Sequence, residues 1–456
     1  MRIESSTPLK NLSITRRLFY KYKSLLSDRY LRYNILILCT NILGGAFSYL
    51  LHPSLAHIMT IQEYGQVAAL VALSFVLITP TQIFSNVAAK YASTLSINGD
   101  YAQLNGFIRR LTGILLIVGV GVAAAFMLVS NYLAQFFHLD STQDIILLGT
   151  MFVVSFISPL NLGVLLGLQR FGWFATITLL LPILRLVLVV GFVLLGFGVN
   201  SAILGIAIST LLTYLVSFLP LWKLLRGPRT HSGPLKSVWS YAILTATVAG
   251  GSVTLSSIDT VLAGHFLNIH ETGLYAALAT IGRTIWFING SINTVMFPRV
   301  VRLHEQKKPH WHVVAQAMLG VVILSATIEM MFFLAPSLIT KILFGQAFIA
   351  ISGLLPLYGF AMLLLSVSEV LLAFFLAIGN RTIIPIVLLA CLLQIALIIW
   401  HHSSPTQLLE AVLITNAVFM LALIVKWGMT CYSDILQKIA SLSGYKALRP
   451  RRNKSE

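Results

Sequence analysis

Two arginines lie inside apolar segments that are long enough to cross a lipid bilayer. Arg283 is near the middle of the eighth such segment, and Arg185 is near the middle of the fifth, three residues after Pro182. An ionised side chain costs at least ~2.5–3.5 kcal/mol at the bilayer centre, so such residues are rare there and mark functional sites. The fork of N–H donors on a guanidinium fits a phosphate group. Arg283 is therefore a candidate for binding an anionic ligand.

Three acidic residues also fall within apolar segments. Asp259 is in the outer half of the seventh segment, Glu329 is in the ninth and Glu369 is in the tenth. These carboxylates could carry coupling protons or cations, or they could form ion pairs and hydrogen bonds that hold helices together. Arg283 could form a buried pair of this kind with Asp259 or Glu369. For Arg185 the sequence favours a structural pair.

Polar residues form stripes at helical spacing on four segments. Residues three, four or seven apart share one face of a helix. Such stripes predict that segments one, two, seven and eight line a shared water-filled cavity, although hydrogen bonds between helices within each half are the alternative. The stripes consist of Asn34, Asn41, Gly45, Ser48 and His52 in the first segment, Gln82, Asn86 and Lys90 in the second, Ser252, Ser256 and Asp259 in the seventh, and Arg283, Trp286, Gly290 and Asn293 in the eighth.

The sequence lacks the residue patterns of a soluble enzyme. The eleven histidines are scattered, and the pair His401-His402 has no further residues at metal-ligand spacing. The phosphate-binding pattern G-x-x-x-x-G-K-[ST] does not occur. We therefore predict that the protein is not an enzyme and that it holds neither a metal nor a cofactor.

The composition indicates an integral membrane protein. Hydrophobic residues make up 57% of the 456 residues and charged residues only 10%, whereas soluble domains have about 45–50% and about 25%. A helix needs about 20 apolar residues to cross the bilayer. Twelve spans meet this requirement: roughly 34–58, 65–92, 107–136, 143–168, 172–197, 201–223, 238–267, 272–297, 313–336, 348–378, 382–400 and 406–427.

Basic residues predict the orientation of the spans. The chain has 31 Lys and Arg residues and a net charge of +17. Apart from the two arginines within spans, all but Lys341 fall in the termini and in every second loop. By the positive-inside rule, that side, with both termini, faces the cytoplasm. The protein is accordingly expected in the cytoplasmic membrane. The charge is then explained by topology and by attraction to anionic membrane lipids, and nucleic acid is not an expected partner.

An internal repeat predicts two similar halves. Residues His57–Leu70 and His265–Leu278 both read H-x-x-x-I-x-E-x-G-x-x-A-A-L. The repeat aligns span 1 with span 7 and span 2 with span 8, which predicts two six-helix lobes of the same orientation around a central cavity. The predicted regions are a basic amphipathic segment (1–33, with an interfacial helix at 12–31), an N-lobe (34–223), a linker (224–236), a C-lobe (237–428) and a basic tail (429–456).

The chain resembles a known family in several short motifs. These are Glu63-Tyr64-Gly65, then Gly264-His265-Phe266 after Asp259, then Glu271-x-Gly273-x-Tyr275-Ala276-Ala277, and finally Phe297-Pro298-Arg299. They are similar to those of the oligosaccharide flippases of the multidrug/oligosaccharidyl-lipid/polysaccharide (MOP) exporter superfamily, over nearly the whole chain.

The resemblance implies a function and a binding site. It implies that alternating access moves polyprenyl-pyrophosphate-linked oligosaccharide repeat units across the cytoplasmic membrane for cell-surface polysaccharide biosynthesis, with polysaccharide polymerases or glycosyltransferases as partners. It also implies that arginines in the cavity bind the pyrophosphate. The candidates are Arg283 first and Arg185 second, accompanied by the amides in the polar stripes: Asn41, Gln82, Asn86 and Asn293.

Two alternatives remain open. The first is a proton- or sodium-coupled drug or cation antiporter of the same superfamily, in which Asp259, Glu329 and Glu369 would bind the coupling ion. A positive charge at Arg283 disfavours it, because it would repel cationic drugs. The second is a membrane scaffold for glycan assembly that transports nothing, which the repeat and the polar stripes disfavour.

Overall fold

The computed structural model describes residues 29–196, 198–228, 230, 236–306 and 308–442. The interfacial helix predicted at 12–31 lies almost wholly outside these ranges, as do residues 229 and 231–235 of the predicted linker and the end of the basic tail. Every regular element in the described ranges is a helix. The prediction of an all-α membrane protein is therefore confirmed.

Sixteen α-helices follow one another along the described chain. They are α1 (Arg29–Ile58), α2 (Ile61–Ile78), α3 (Ile83–Ile97), α4 (Tyr101–Leu128), α5 (Ser130–Phe136), α6 (Gln143–Gly167), α7 (Phe171–Leu194), α8 (Gly198–Ser217), α9 (Trp222–Arg226), α10 (Lys236–Phe266), α11 (Ile269–Glu305), α12 (Trp311–Leu334), α13 (Pro336–Phe344), α14 (Leu355–Ala377), α15 (Ile384–Trp400) and α16 (Pro405–Leu442). Short 3₁₀ helices occupy Thr79–Gln82, Leu219–Leu221, Gln346–Leu354 and Arg381–Ile383.

Ten helical stretches of the described chain are long and apolar enough to span a membrane. They correspond to all the predicted spans except the seventh and eighth. Those two spans are α10 and α11, which are 31 and 37 residues long but carry the serines, Asp259 and Arg283 of the polar stripes. Asp259 and Arg283, two of the ion-pair candidates, thus lie on two of the less apolar long helices.

The contacts between helices divide the chain into two compact units. The first comprises the described residues of Met1–Ile58, Thr81–Leu133 and Ser141–Pro234. Within it, α1 packs on α7, α4 and α3 pack on α6, and α7 packs on α8. Gly163 on α6 permits a very close approach, since a Cβ atom there would overlap the carbonyl oxygen of Ser85 on α3.

The second unit combines the second half of the chain with part of span 2. It comprises the described residues of Met59–Pro80, Ala134–Asp140 and Leu235–Glu456. Helix α2 packs on both α10 and α11, and α14 packs on α11, α12 and α16. A 3₁₀ turn at Thr79–Gln82, which contains Pro80, separates α2 from α3. Proline favours such a break because it lacks a backbone N–H.

The two copies of the sequence repeat contact each other inside the second unit. Each copy begins a helix with a capped first turn. Thr60 and Glu63 form a capping box at the start of α2, and the side chain of Asn268 accepts a hydrogen bond from the backbone N–H of Glu271 at the start of α11. Where the two helices cross, a Cβ atom on Gly65 would lie 2.6 Å from the backbone nitrogen of Gly273. The glycines of the repeat therefore allow the two helix backbones to touch.

Replacing Gly273 with Ala is expected to destabilise the protein by about 2 kcal/mol or more, because the added Cβ atom forces a packed helix crossing apart. That atom would overlap the carbonyl oxygen of Ile61, and a backbone atom cannot move aside as a side chain can. Thermal unfolding of the purified protein in detergent measures the effect. Gly290→Ala on the same helix is the control, since its Cβ atom would meet nothing within 4 Å. Equal unfolding temperatures for the two variants would contradict the prediction.

Candidate functional site

A buried ion pair joins α10 and α11 in the second unit. The Nη2 atom of Arg283 donates to Oδ1 of Asp259 at 2.9 Å and also to the hydroxyl of Thr260. Asp259 is completely buried, whereas the side chain of Arg283 is 12% exposed. The pairing of Arg283 with Asp259 is one of the two structural pairs that the sequence left open.

Two tyrosines complete the hydrogen bonding of Asp259. The hydroxyl groups of Tyr275 and Tyr358 donate to its Oδ2 atom at 2.9 Å and 2.6 Å. Their rings meet edge to face, with centroids 6.1 Å apart. Gly282 makes room for the ring of Tyr358, since a Cβ atom there would overlap Cδ1 of that ring. A buried carboxylate needs such partners because burial without them is costly.

The ion pair leaves part of the Arg283 guanidinium unused. Both hydrogen bonds to Asp259 and Thr260 come from Nη2. The Nε atom is buried, and no hydrogen-bond partner for it occurs in the described part of the chain. Arg283 thus has a carboxylate that balances its charge and a buried N–H group to which no acceptor of the described chain is bonded.

Arg185 has a different environment in the first unit. It lies on α7, and its Nη2 atom is 3.4 Å from the hydroxyl oxygen of Thr210 on α8. Its Nε atom is buried without a hydrogen-bond partner, and within the described ranges the one ion pair is that of Arg283 and Asp259. The charge of Arg185 is therefore not balanced by any carboxylate of the described chain, and the structural pair that the sequence favoured stays a prediction.

The amides of the polar stripes differ in exposure. Asn41, Gln82 and Asn86 are exposed and belong to the first unit. Asn293 belongs to the second unit, is partly exposed and has a buried Oδ1 atom to which no group of the described chain donates. Exposed amides within a membrane span require water or ligand groups, because lipid offers no hydrogen bonds.

The two glutamates occupy separate places in the second unit. Glu369 accepts a hydrogen bond from the indole Nε1 of Trp286 at 3.4 Å and lines a cavity of about 120 Å³. The other polar residues of this cavity include Asn289 and Asn293. Glu329 lies against α14, where a Cβ atom on Gly359 would overlap its Oε2 atom. No hydrogen bond or ion pair of the described chain joins these glutamates to Asp259, and a role in ion coupling stays a prediction.

The sequence did not single out Tyr358 or Thr210. Tyr358 is 99 positions from Asp259, and neither residue belongs to a polar stripe. The sequence does contain a signal for Tyr358, since a hydroxyl group inside an apolar span needs a hydrogen-bond partner.

The described residues contain no group of three or more His, Cys, Asp or Glu side chains that could hold a metal ion.

Solved structures of membrane transporters share the fold. An inward-facing multidrug resistance MATE family transporter of the MOP superfamily is 13% identical, with a TM-score of 0.69 over 86% of this chain and 95% of that one. An outward-facing MATE family transporter gives 14% identity and a TM-score of 0.62 over 88% and 96%. A MOP superfamily transporter from Pyrococcus furiosus gives 16% identity and a TM-score of 0.58 over 88% and 96%.

A sequence comparison identifies the family. No curated protein matches the chain, but the profile of a family described as polysaccharide biosynthesis protein matches residues 54–352. The match extends from the end of α1 into the 3₁₀ helix before α14, so it includes the repeat and the ion pair. The fold is similar to that of membrane transporters of the MOP superfamily, and the chain belongs to this polysaccharide biosynthesis protein family.

Proposed function

We propose that the protein is a flippase that moves polyprenyl-pyrophosphate-linked oligosaccharide units across the cytoplasmic membrane by alternating access, with both termini in the cytoplasm. The family match supports a role in polysaccharide biosynthesis, and the fold supports transport. The observation that carries the proposal is the guanidinium of Arg185, which lies in a membrane span without a carboxylate partner among the described residues.

An unbalanced cation in a membrane span favours an anionic cargo. Keeping Arg185 ionised in the span costs free energy, and a pyrophosphate group would recover part of it through charge-assisted hydrogen bonds. A guanidinium can contact two oxygens of such a group at once. Arg185 is thus the first candidate for the pyrophosphate, and Arg283, whose side chain is 12% exposed, is the second.

The exposed amides support a sugar-containing cargo. Asn41, Gln82 and Asn86 each offer a carbonyl acceptor and an NH₂ donor, and all three are exposed. Sugar hydroxyl groups both donate and accept hydrogen bonds, so amides suit them. Together with Arg185, these residues would give the first unit donors for the pyrophosphate and mixed partners for the glycan.

The drug or cation antiporter remains the alternative. In that function Asp259 would bind the coupling ion, yet both of its oxygens already accept hydrogen bonds, from Arg283, Tyr275 and Tyr358. A cation would have to displace the guanidinium. Similarity to multidrug transporters at 13–14% identity extends only to the fold.

Transport by the purified protein in liposomes distinguishes the two functions. One set of vesicles contains a fluorescent polyprenyl-pyrophosphate oligosaccharide, and quenching from outside reports its movement between leaflets. A second set contains a cationic dye and a proton gradient. We expect the protein to accelerate movement of the glycolipid and not efflux of the dye. Dye efflux that Asp259→Asn abolishes, without glycolipid movement, would establish the antiporter instead.

A further inference from the structure

A cavity of about 280 Å³ opens in the first unit, and Arg185 is not among the residues that line it. The start of α4, the turn between α6 and α7, and helix α9 with the residues after it form its walls. Its polar lining comes from Tyr101, Arg170 and Lys223, and its apolar lining includes Leu168 and Leu224. Neither the proposed transport function nor the family match assigns a role to this cavity.

Hydrogen bonds hold the walls of the cavity in place. The side-chain nitrogen of Asn105, a fully buried residue of α4, donates to the carbonyl of Gly227 at 2.8 Å. Arg109 donates to Oδ1 of Asn105 at 3.0 Å and to the carbonyl of Leu225 at 2.6 Å. The backbone N–H of Thr230 donates to the carbonyl of Ala102 at 3.1 Å. The chain after α9 is therefore fixed against α4, and the cavity is a built feature of the unit.

The cavity has a positive electrostatic character. Arg170 donates to the carbonyl of Pro220 and remains exposed, so it keeps further N–H donors, and Lys223 is exposed as well. The first turn of α4, at Tyr101, adds the positive end of a 28-residue helix. The lining residues include no Asp or Glu, and Asp100, which directly precedes Tyr101, is not among them. An anion with several acceptor oxygens fits this combination.

Aromatic residues in and beside the cavity are typical of a membrane–water boundary. Tyr101 is 51% exposed and Trp222 is 53% exposed, each at the start of a helix. The guanidinium carbon of Arg226 lies 4.2 Å from the centre of the Trp222 ring. Tyrosine and tryptophan concentrate at the level of lipid headgroups, and basic pockets between membrane helices bind such headgroups on the cytoplasmic side.

We propose that this cavity binds the phosphate of an anionic glycerophospholipid headgroup, with Arg170 and Lys223 as the contacting cations. The apolar lining at Leu168 and Leu224 then lies against the glycerol and the start of the acyl chains. The site is separate from cargo binding, so it does not depend on the flippase function.

Native mass spectrometry of the full-length protein in detergent tests the site. The probes are phosphatidylglycerol, phosphatidylcholine and the water-soluble glycerol 3-phosphate. We expect retention of phosphatidylglycerol over phosphatidylcholine, and a fall in that retention of about tenfold in Arg170→Gln/Lys223→Gln. Arg110→Gln/Lys308→Gln is the control, since it removes the same charge from exposed positions outside the cavity. The control is expected to lose less than about twofold.

A second variant and two contrary outcomes complete the test. Lys223→Glu removes no hydrogen bond that the described part of the chain makes, so it is expected to weaken retention of phosphatidylglycerol with an unchanged unfolding temperature. Equal retention in the cavity variant and the control variant would overturn the site. Binding of glycerol 3-phosphate as tight as that of the lipid would assign the cavity to a soluble phosphate compound instead.

Discussion

Replacing Asp259 with Ala is expected to lower the free energy of unfolding by about 3–5 kcal/mol. The substitution leaves Arg283 without its counter-charge in a largely buried position, and it removes the acceptor of Tyr275 and Tyr358. Breaking a buried pair by removing one partner is costly because the remaining charge stays buried. Thermal unfolding of the purified protein in detergent measures the change.

A double variant provides the control for this prediction. Asp259→Asn/Arg283→Gln removes both charges, so it leaves no uncompensated charge in the buried position. We therefore expect the double variant to recover most of the stability that Asp259→Ala loses. If Asp259→Ala unfolds at the wild-type temperature, or if the double variant is less stable than Asp259→Ala, the ion pair does not hold α10 and α11 together as described.

Replacing Arg185 with Gln is expected to reduce flipping of a polyprenyl-pyrophosphate oligosaccharide by about 30-fold or more, because charge-assisted hydrogen bonds to the cargo are lost. The protein should remain folded, since Arg185 has no carboxylate partner in the described chain that would be left unpaired. The initial rate of leaflet exchange in liposomes measures the effect. Arg185→Lys keeps the charge but not the planar fork of N–H donors, so its flipping rate should fall between those of the wild type and Arg185→Gln.

Thr210→Val is the matched control for Arg185. It removes the hydroxyl group 3.4 Å from the Arg185 guanidinium while it leaves the positive charge in place. We expect its flipping rate to stay within about twofold of wild type, because a long hydrogen bond between these side chains contributes little. An unchanged rate in Arg185→Gln, or an equal loss in Thr210→Val, would show that the guanidinium does not bind the cargo.

The helices could be predicted from the sequence because the bilayer imposes their length. Ten of the twelve predicted spans are helices of membrane-spanning length and apolar composition in the described chain. The grouping of helices could not be predicted in the same way. Met59–Pro80 joins the second unit because α2 packs on α10 and α11 through Gly65 and Gly273, and hydropathy carries no information on which helix lies beside which.

The candidate site was predictable as a set of residues but not as a set of contacts. The cost of charge in lipid singles out Arg283, Arg185 and Asp259 from the sequence alone. Which arginine has a carboxylate partner depends on helix rotation and side-chain reach. The structure pairs Arg283 with Asp259. Arg185, which the sequence ranked second, is then the cation in a membrane span that has no carboxylate partner among the described residues.

The dependence of transport on cargo charge tests the central claim most directly. The measurement compares, in the same liposomes, flipping of one oligosaccharide attached to polyprenol through a pyrophosphate and through an uncharged linkage. The wild-type protein should move the pyrophosphate form at least about tenfold faster, and Arg185→Gln should lose this preference. Equal rates for the two cargoes in the wild-type protein, or an undiminished preference in Arg185→Gln, would contradict the account.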